Sequence, residues 1–265
     1  MKVQRVNKWR PQLVITLIAI FLLAPIVATF FYSISTVWVK TILPNGLTFK
    51  WYGVLTADPN FIPSVIRSLL LAIAVVIVTM VAFLPVIFYA NVYNPKLKEK
   101  LRYLSILPYS IPGIVLVTGL VQLYGNVAVP KIIILILTIS AICLPAFYQS
   151  LNNAFMGDDF RGMFEQAQLL GDSKVGAFIR VVLPNIRAGL MVGLLLTFAA
   201  AFTEYVITNI FLTGQYQTLK IYMYRLMNTN GNAASVLTII FFLFLGVIAL
   251  ILIKLVSNQK RAKKE

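Results

Sequence analysis

The sequence predicts an all-α, polytopic membrane protein, and three features carry that reading. Hydrophobic residues make up 60% of the 265 positions and charged residues only 12%, where a soluble domain carries roughly 25% charged. Six apolar segments approach or exceed the length of about 20 residues that crosses a hydrocarbon core. The net charge of +15 gathers in the segments between them, a bias that fixes orientation because basic residues resist translocation.

The first segment, 12–34, follows Lys2, Arg5, Lys8 and Arg10. That arrangement resembles a secretory leader, but the apolar run from Leu13 through Tyr32 is long and no A-x-A-like site closes it, so an uncleaved spanning helix is expected. With its amino end inside, the inner segments hold those residues, Lys96, Lys98, Lys100 and Arg102, then Arg161, Lys174, Arg180 and Arg187, and finally Lys254, Lys260, Arg261, Lys263 and Lys264. Lys40, Lys50, Arg67, Lys131, Lys220 and Arg225 fall outside or near outer ends. Both termini are therefore expected in the cytoplasm. The charge is a topology signal with some attraction to anionic lipid, and nucleic acid is not an expected partner.

The second segment, 64–92, and the fourth, 130–151, read as spans with ordinary kinks at Pro85 and Pro145, as does the first at Pro25. The third, 103–125, contains "ILPYSIPGIVLV", with Pro108, Pro112 and Gly113 inside the span. Backbone groups freed there must face protein or a wet cavity. Tyr109 and Ser110 thus become candidates to line a solute path, although a kinked packing helix accounts for the same pattern. The fifth segment, 186–212, carries Glu204 in "FAAAFTEYVITNIF", the one acidic residue well inside a predicted span. A carboxylate in lipid is costly enough to be a functional candidate: it is either a counter-charge for a cationic solute or a structural group near the outer end, hydrogen-bonded to Thr203 or Asn209 across a permease dimer. The sixth segment is 233–256. Tyr216, Tyr222 and Tyr224 are expected to anchor the outer interface.

The residue inventory excludes several chemistries. There is no histidine and one cysteine, Cys143, within an apolar run, so no internal disulfide, no His-assisted nucleophile and no metal-ligand cluster is available. No catalytic residue is assigned. No G-x-x-x-x-G-K-[ST] phosphate loop occurs, so an ATPase would have to be a separate chain.

The longest inner loop, 152–185, contains "FEQAQLLGDSKVGAFIRVVLP". Asp158 and Asp159 suit a helix start, and Phe160, Met163, Phe164 and Ala167 recur at helical spacing as one apolar stripe. Gly171 suits a left-handed stop. Asp172 suits the cap of a second helix with Val175, Phe178, Ile179 and Val182 on its apolar face, until Pro184 interrupts the ladder. The result is a two-helix knob projecting from the membrane, with loops around it too short for a soluble core.

Glu165, Ala167 and Gly171, then nine residues and Val181, Val182, Leu183 and Pro184, resemble the EAA loop of permease subunits in binding-protein-dependent ABC importers. Gln166 and Val181 depart from the usual alanine and isoleucine; the spacing is intact. The resemblance implies that Glu165, Ala167, Gly171, Val181, Leu183 and Pro184 belong to a coupling element seated on a cytoplasmic ATPase. It also implies a second permease, identical or related, an extracytoplasmic binding protein, and ATP and magnesium held by the ATPase rather than by this chain. The location implied is the bacterial cytoplasmic membrane, with residues 1–265 as one permease domain. "LTFKWYGVL" (47–55), "TGQYQTLKIYMYRL" (213–226) and "NAASVLTIIF" (232–241) resemble the spermidine/putrescine group. Relatives of that group carry ferric iron, phosphonates or thiamine, and an ion-coupled secondary carrier would also be polytopic.

Overall fold

The computed structural model describes residues 9–39, 41–156 and 158–262. Lys2, Arg5, Lys8, Lys40, Lys263 and Lys264, the side chains of Arg10, Lys260 and Arg261, and the orientation of the two termini lie outside the described residues. The described chain is all-α: α1 (Trp9–Ser33), α2 (Lys50–Ala57), α3 (Phe61–Val92), α4 (Pro95–Leu104), α5 (Leu107–Ser110), α6 (Gly113–Tyr124), α7 (Lys131–Ala154), α8 (Phe160–Leu169), α9 (Lys174–Ala177), a π turn (Phe178–Val182), α10 (Leu183–Phe202), α11 (Val206–Phe211), α12 (Leu219–Thr229) and α13 (Gly231–Ala262). Among the described residues the sole β pairing is an isolated bridge between Ser35 and Leu47. Five helices are long and apolar enough to cross a membrane, and six if α4–α5 and α6 together count as one broken span.

The chain packs as two compact units: the described residues up to Ile62 with Tyr222–Phe244, and Pro63–Ile221 with the described residues from Leu245 onward. In the first unit, none of the apolar window of α1 is buried, and hydrogen bonds tie the turn after α1 to distant segments. The Ser35 carbonyl accepts from Trp51 Nε1 at 2.8 Å and from the Asn232 amide at 3.3 Å, and the Tyr32 carbonyl accepts from Asn232 at 2.9 Å. The Tyr222 hydroxyl donates to Asp58 Oδ2 at 2.7 Å. Burial and that bond push the tyrosine's pKa up, while the Asn60 backbone N–H foremost holds the Asp58 carboxyl below its ordinary value.

The second unit is organised by α7 against α10. Small residues let the two helices approach closely, as expected where lipid supplies no hydrophobic drive between helices. Ser150 Oγ donates to the Gly189 carbonyl at 2.7 Å, and a Cβ built on Gly193 would lie 3.0 Å from the Phe147 ring. Ser140 Oγ reaches the Val75 carbonyl of α3 at 3.4 Å, and Tyr148 donates to the Lys98 carbonyl of α4 at 3.0 Å.

Two spans differ from the sequence expectation. The third is broken, with α4–α5 and α6 meeting at 92°. Pro112 disfavours the α conformation at the preceding residue, and Ile111 is accordingly extended at φ −100°, ψ 117°. The fifth span ends at Phe202 instead of running to residue 212; Thr203–Tyr205 interrupt it before α11. Conversely, Pro184 does not interrupt its helix. Helical backbone runs unbroken from Lys174 to Phe202 because the π turn widens the ladder just before the proline, with Leu183 N–H donating to the Phe178 carbonyl five residues back.

The α7–α10 contact predicts opposite outcomes for one substitution at two glycines. At Gly189 a Cβ would sit 2.5 Å from Ala154 Cβ and 3.0 Å from the Ser150 carbonyl oxygen; at Gly246 it would meet nothing within 4 Å. Gly189→Ala is expected to destabilise by about 1–3 kcal/mol through overpacking, whereas Gly246→Ala is expected to be neutral or stabilising by up to about 1 kcal/mol. Thermal unfolding of both variants in one detergent checks the difference.

Candidate functional site

The two-helix loop is built around aromatic contacts that begin in α3. Asp159 Oδ1 caps α8 by accepting from Gly162 N–H at 3.0 Å. Phe160 and Phe164 then turn inward and are buried. Phe88, near the end of α3, is the hub: its ring centroid lies 5.3 Å from Phe164, 4.9 Å from Phe178 and 6.4 Å from Phe155, and Tyr93 meets Phe164 at 6.0 Å. Val182, Ile186 and Ala177 continue this core, with Met163, Ala167 and Leu183 half-buried against it.

Gly171 takes φ +94°, a left-handed conformation that glycine adopts without penalty. Its N–H donates to the Gln168 carbonyl at 2.9 Å, and the Asp172 N–H reaches the Ala167 carbonyl at 3.1 Å. These are the two bonds of a Schellman stop. The turn holds Leu169 and Leu170 at 87% and 90% exposure, high for adjacent leucines.

Two expectations for the second helix are corrected. Ser173, not Asp172, caps it, accepting from Gly176 N–H at 3.0 Å; Asp172 faces Arg180 at 3.3 Å instead. Its buried side is Ala177, Phe178 and Val182, while Val175 and Ile179 point to solvent. Half of the expected stripe, Phe178 and Val182, thus faces inward as expected, and half does not. Glu165 pairs with Arg161 at 2.8 Å on the exposed face, and the hydrogen bond from that pair pushes the arginine's pKa further up. Val181 is half-buried, and Pro184 is exposed.

The candidate solute path lies where the two broken helices meet. A cavity of about 360 Å³ is bounded by Pro108, Tyr109, Ile111 and Gly113 at the first break, by Ile139 and Cys143 midway along α7, and by Ala200 and Glu204 at the second. Tyr109 and Glu204 are thus brought together; Ser110 is not in the lining. Both Glu204 oxygens are engaged: Oε1 accepts from Ile207 N–H at 2.7 Å, and Oε2 accepts from Thr208 N–H at 2.9 Å and from the Thr208 hydroxyl. Its partners within the chain are Ile207 and Thr208, while the Thr203 hydroxyl returns to the Ala199 carbonyl at 2.9 Å.

Residues 84–262 match the family described as binding-protein-dependent transport system inner membrane component. This chain belongs to that family. Every residue of the loop core from Phe88 onward and every residue of the cavity falls inside the matched range. The fold also resembles a chain from the crystal structure of a bacterial ABC transporter involved in the import of the acidic polysaccharide alginate, with a TM-score of 0.67, 15% sequence identity, and coverage of 96% of this chain and 99% of that one. The permease is therefore a multi-pass membrane component of a binding-protein-dependent transport system, and the family implies a binding-protein partner.

Sequence reasoning missed Phe88. Its signal was an aromatic residue near the carboxyl end of an otherwise aliphatic span, next to Tyr89 and Tyr93. In the permease, Phe164→Ala removes a ring that Phe88 and Tyr93 grip, a loss of about 3–5 kcal/mol for a buried aromatic. Limited proteolysis is expected to cut the 155–185 segment of Phe164→Ala markedly faster than wild type, and to leave exposed Leu169→Ala at the wild-type rate.

Proposed function

We propose that this permease imports a polyamine, spermidine or putrescine, across a bacterial cytoplasmic membrane with both termini inside. An extracytoplasmic binding protein delivers the solute, and separate cytoplasmic ATPase subunits, which hold the ATP and magnesium, drive the cycle. A second permease, identical or related, completes the channel, and residues 1–265 act as one permease domain. The loop 152–185 is the coupling element. The observation that carries this reading is the Gly171 stop with Leu169 and Leu170 held in solvent at its tip: apolar side chains fixed by a rigid turn fit a hydrophobic groove on a partner. Glu165, Ala167, Val181, Leu183 and Pro184 flank that tip in the pattern of an EAA motif.

The mechanism is alternating access. ATP binding closes the paired ATPases, the coupling element follows as a rigid body, and the attached fifth span tilts to open the path on one side of the membrane. The polyamine assignment rests on the resemblance of segments 47–55, 213–226 and 232–241 to spermidine/putrescine permeases. Glu204 supports it: a carboxylate has about four lone-pair positions, and with three donors engaged it has room for one more.

Gly171→Val is expected to insert normally and to retain ATP hydrolysis but lose uptake, because a β-branched residue cannot hold the left-handed turn without strain. Uptake of labelled spermidine, lost on deletion of this chain and restored by wild type but not by Gly171→Val, tests coupling and solute together. Unchanged uptake in a strain without another polyamine importer would refute the polyamine assignment and direct the search to ferric iron, phosphonates or thiamine. Glu204→Gln is expected to lower spermidine uptake far more than Thr208→Val, which loosens the same cap but keeps the charge. Equal losses would assign Glu204 to the fold alone.

A further inference from the structure

A second cavity, of about 700 Å³, lies between α4 and the carboxyl end of α7 and shares Tyr109 with the cavity at Glu204. Its α4 wall carries Lys98, Glu99 and Arg102, and its α7 wall carries Tyr148, Gln149 and Asn152. Neither Lys98 nor Arg102 forms an ion pair among the described residues.

The depth of the cavity follows from the helices that frame it. Apolar α3 ends at Val92, just before the α4 wall, and spanning α7 ends at Ala154, just after the other. Twenty-four residues of α7 rise about 36 Å against a hydrocarbon core of about 30 Å, so the last turns of the helix stand at the level of the lipid headgroups. Beyond the cavity, Tyr103, Leu104, Ile106 and Leu107 present an exposed apolar surface of the kind acyl chains cover.

We propose that this cavity binds the headgroup of a phospholipid carrying a primary ammonium beyond its phosphate. Lys98 and Arg102 take the phosphate, the geometry in which paired cations bind strongly. Glu99 takes the ammonium, whose N–H groups donate to its carboxylate. A purely anionic headgroup would set its charge against Glu99, and a quaternary ammonium has no N–H to give that carboxylate. The same two cations oppose a polyamine here, so the site stands whether or not polyamine is the cargo.

The test is a lipid titration of the transporter, purified in mild detergent with its partner subunits, read by native mass spectrometry. Phosphatidylethanolamine is expected to bind about tenfold more tightly than phosphatidylcholine or phosphatidylglycerol, roughly one step of RT ln 10. Lys98→Gln with Arg102→Gln should abolish that preference, whereas Lys96→Gln with Lys100→Gln, which removes equal charge from the same helix outside the cavity, should preserve it. Equal binding of the three lipids by the wild-type chain overturns the proposal without any variant. Equal losses in the two double variants reduce it to general surface charge, and displacement of the lipid by inorganic phosphate alone would make the site one for free phosphate instead.

Discussion

Every backbone N–H and C=O in the hydrocarbon layer must find a partner inside the protein, and this constraint governs how the chain behaves at its two mid-membrane breaks. At the first, the chain leaves the helix at Ile111 and re-enters at Gly113, with Pro112 between them removing one donor outright. At the second, the amides of Ile207 and Thr208 that open α11 would be orphaned, and Glu204 accepts both. The carboxylate is a helix cap supplied from within the chain. Its charge, costly in lipid, is partly met by two oriented N–H groups and a hydroxyl. Both breaks open on one cavity, which is where polar backbone in a membrane is tolerated and where discontinuous helices form solute sites.

The aromatic core around Phe88 settles how the two-helix loop is held. Phe164, Phe178 and Phe155 pack on that ring from three parts of the chain, so the loop is a fixed extension of the bundle and not a flexible tether. The helix that leaves it is continuous from Lys174 to Phe202, about 44 Å at 1.5 Å per residue. A proline hinge at residue 184 would have dissipated motion between loop and span; the π turn absorbs the proline and keeps the two as one lever. Under the proposed coupling role, the sharp change of direction is at Gly171, and force applied at Leu169 and Leu170 reaches the cavity through a single rigid element.

Much of this was legible in the sequence because it rests on local chemistry. The spans follow from apolar length, the α8 cap from Asp159, and the glycine stop from its spacing after a helical stripe. The features that were not legible depend on register and on contacts distant in sequence. A π turn over Phe178–Val182 adds a residue to the helical period, so a stripe counted at 3.6 residues per turn put Ile179 on the wrong side. The break after Phe202 has no proline or glycine to announce it; it exists because Glu204 can cap α11, and a carboxylate's role as cap or counter-charge cannot be told from its position alone. Phe88 was invisible as a hub because its partners lie some 70 to 90 positions away.

The sparse charge of the path bears on where selectivity resides. Glu204 is the one carboxylate lining the cavity at the breaks, and most of its accepting capacity is used inside the chain. Such a group attracts a cation over a few ångströms and holds it weakly. A transport path works best in that regime, since a solute bound tightly at mid-membrane would not leave. Tight recognition of a polycation needs several carboxylates converging on separate ammonium groups, and this chain does not assemble them around the cavity. Under the proposed polyamine role, the consequence is a division of labour: the binding protein supplies the recognition, and the permease supplies a capped gap whose single carboxylate favours passage of a cation without retaining it.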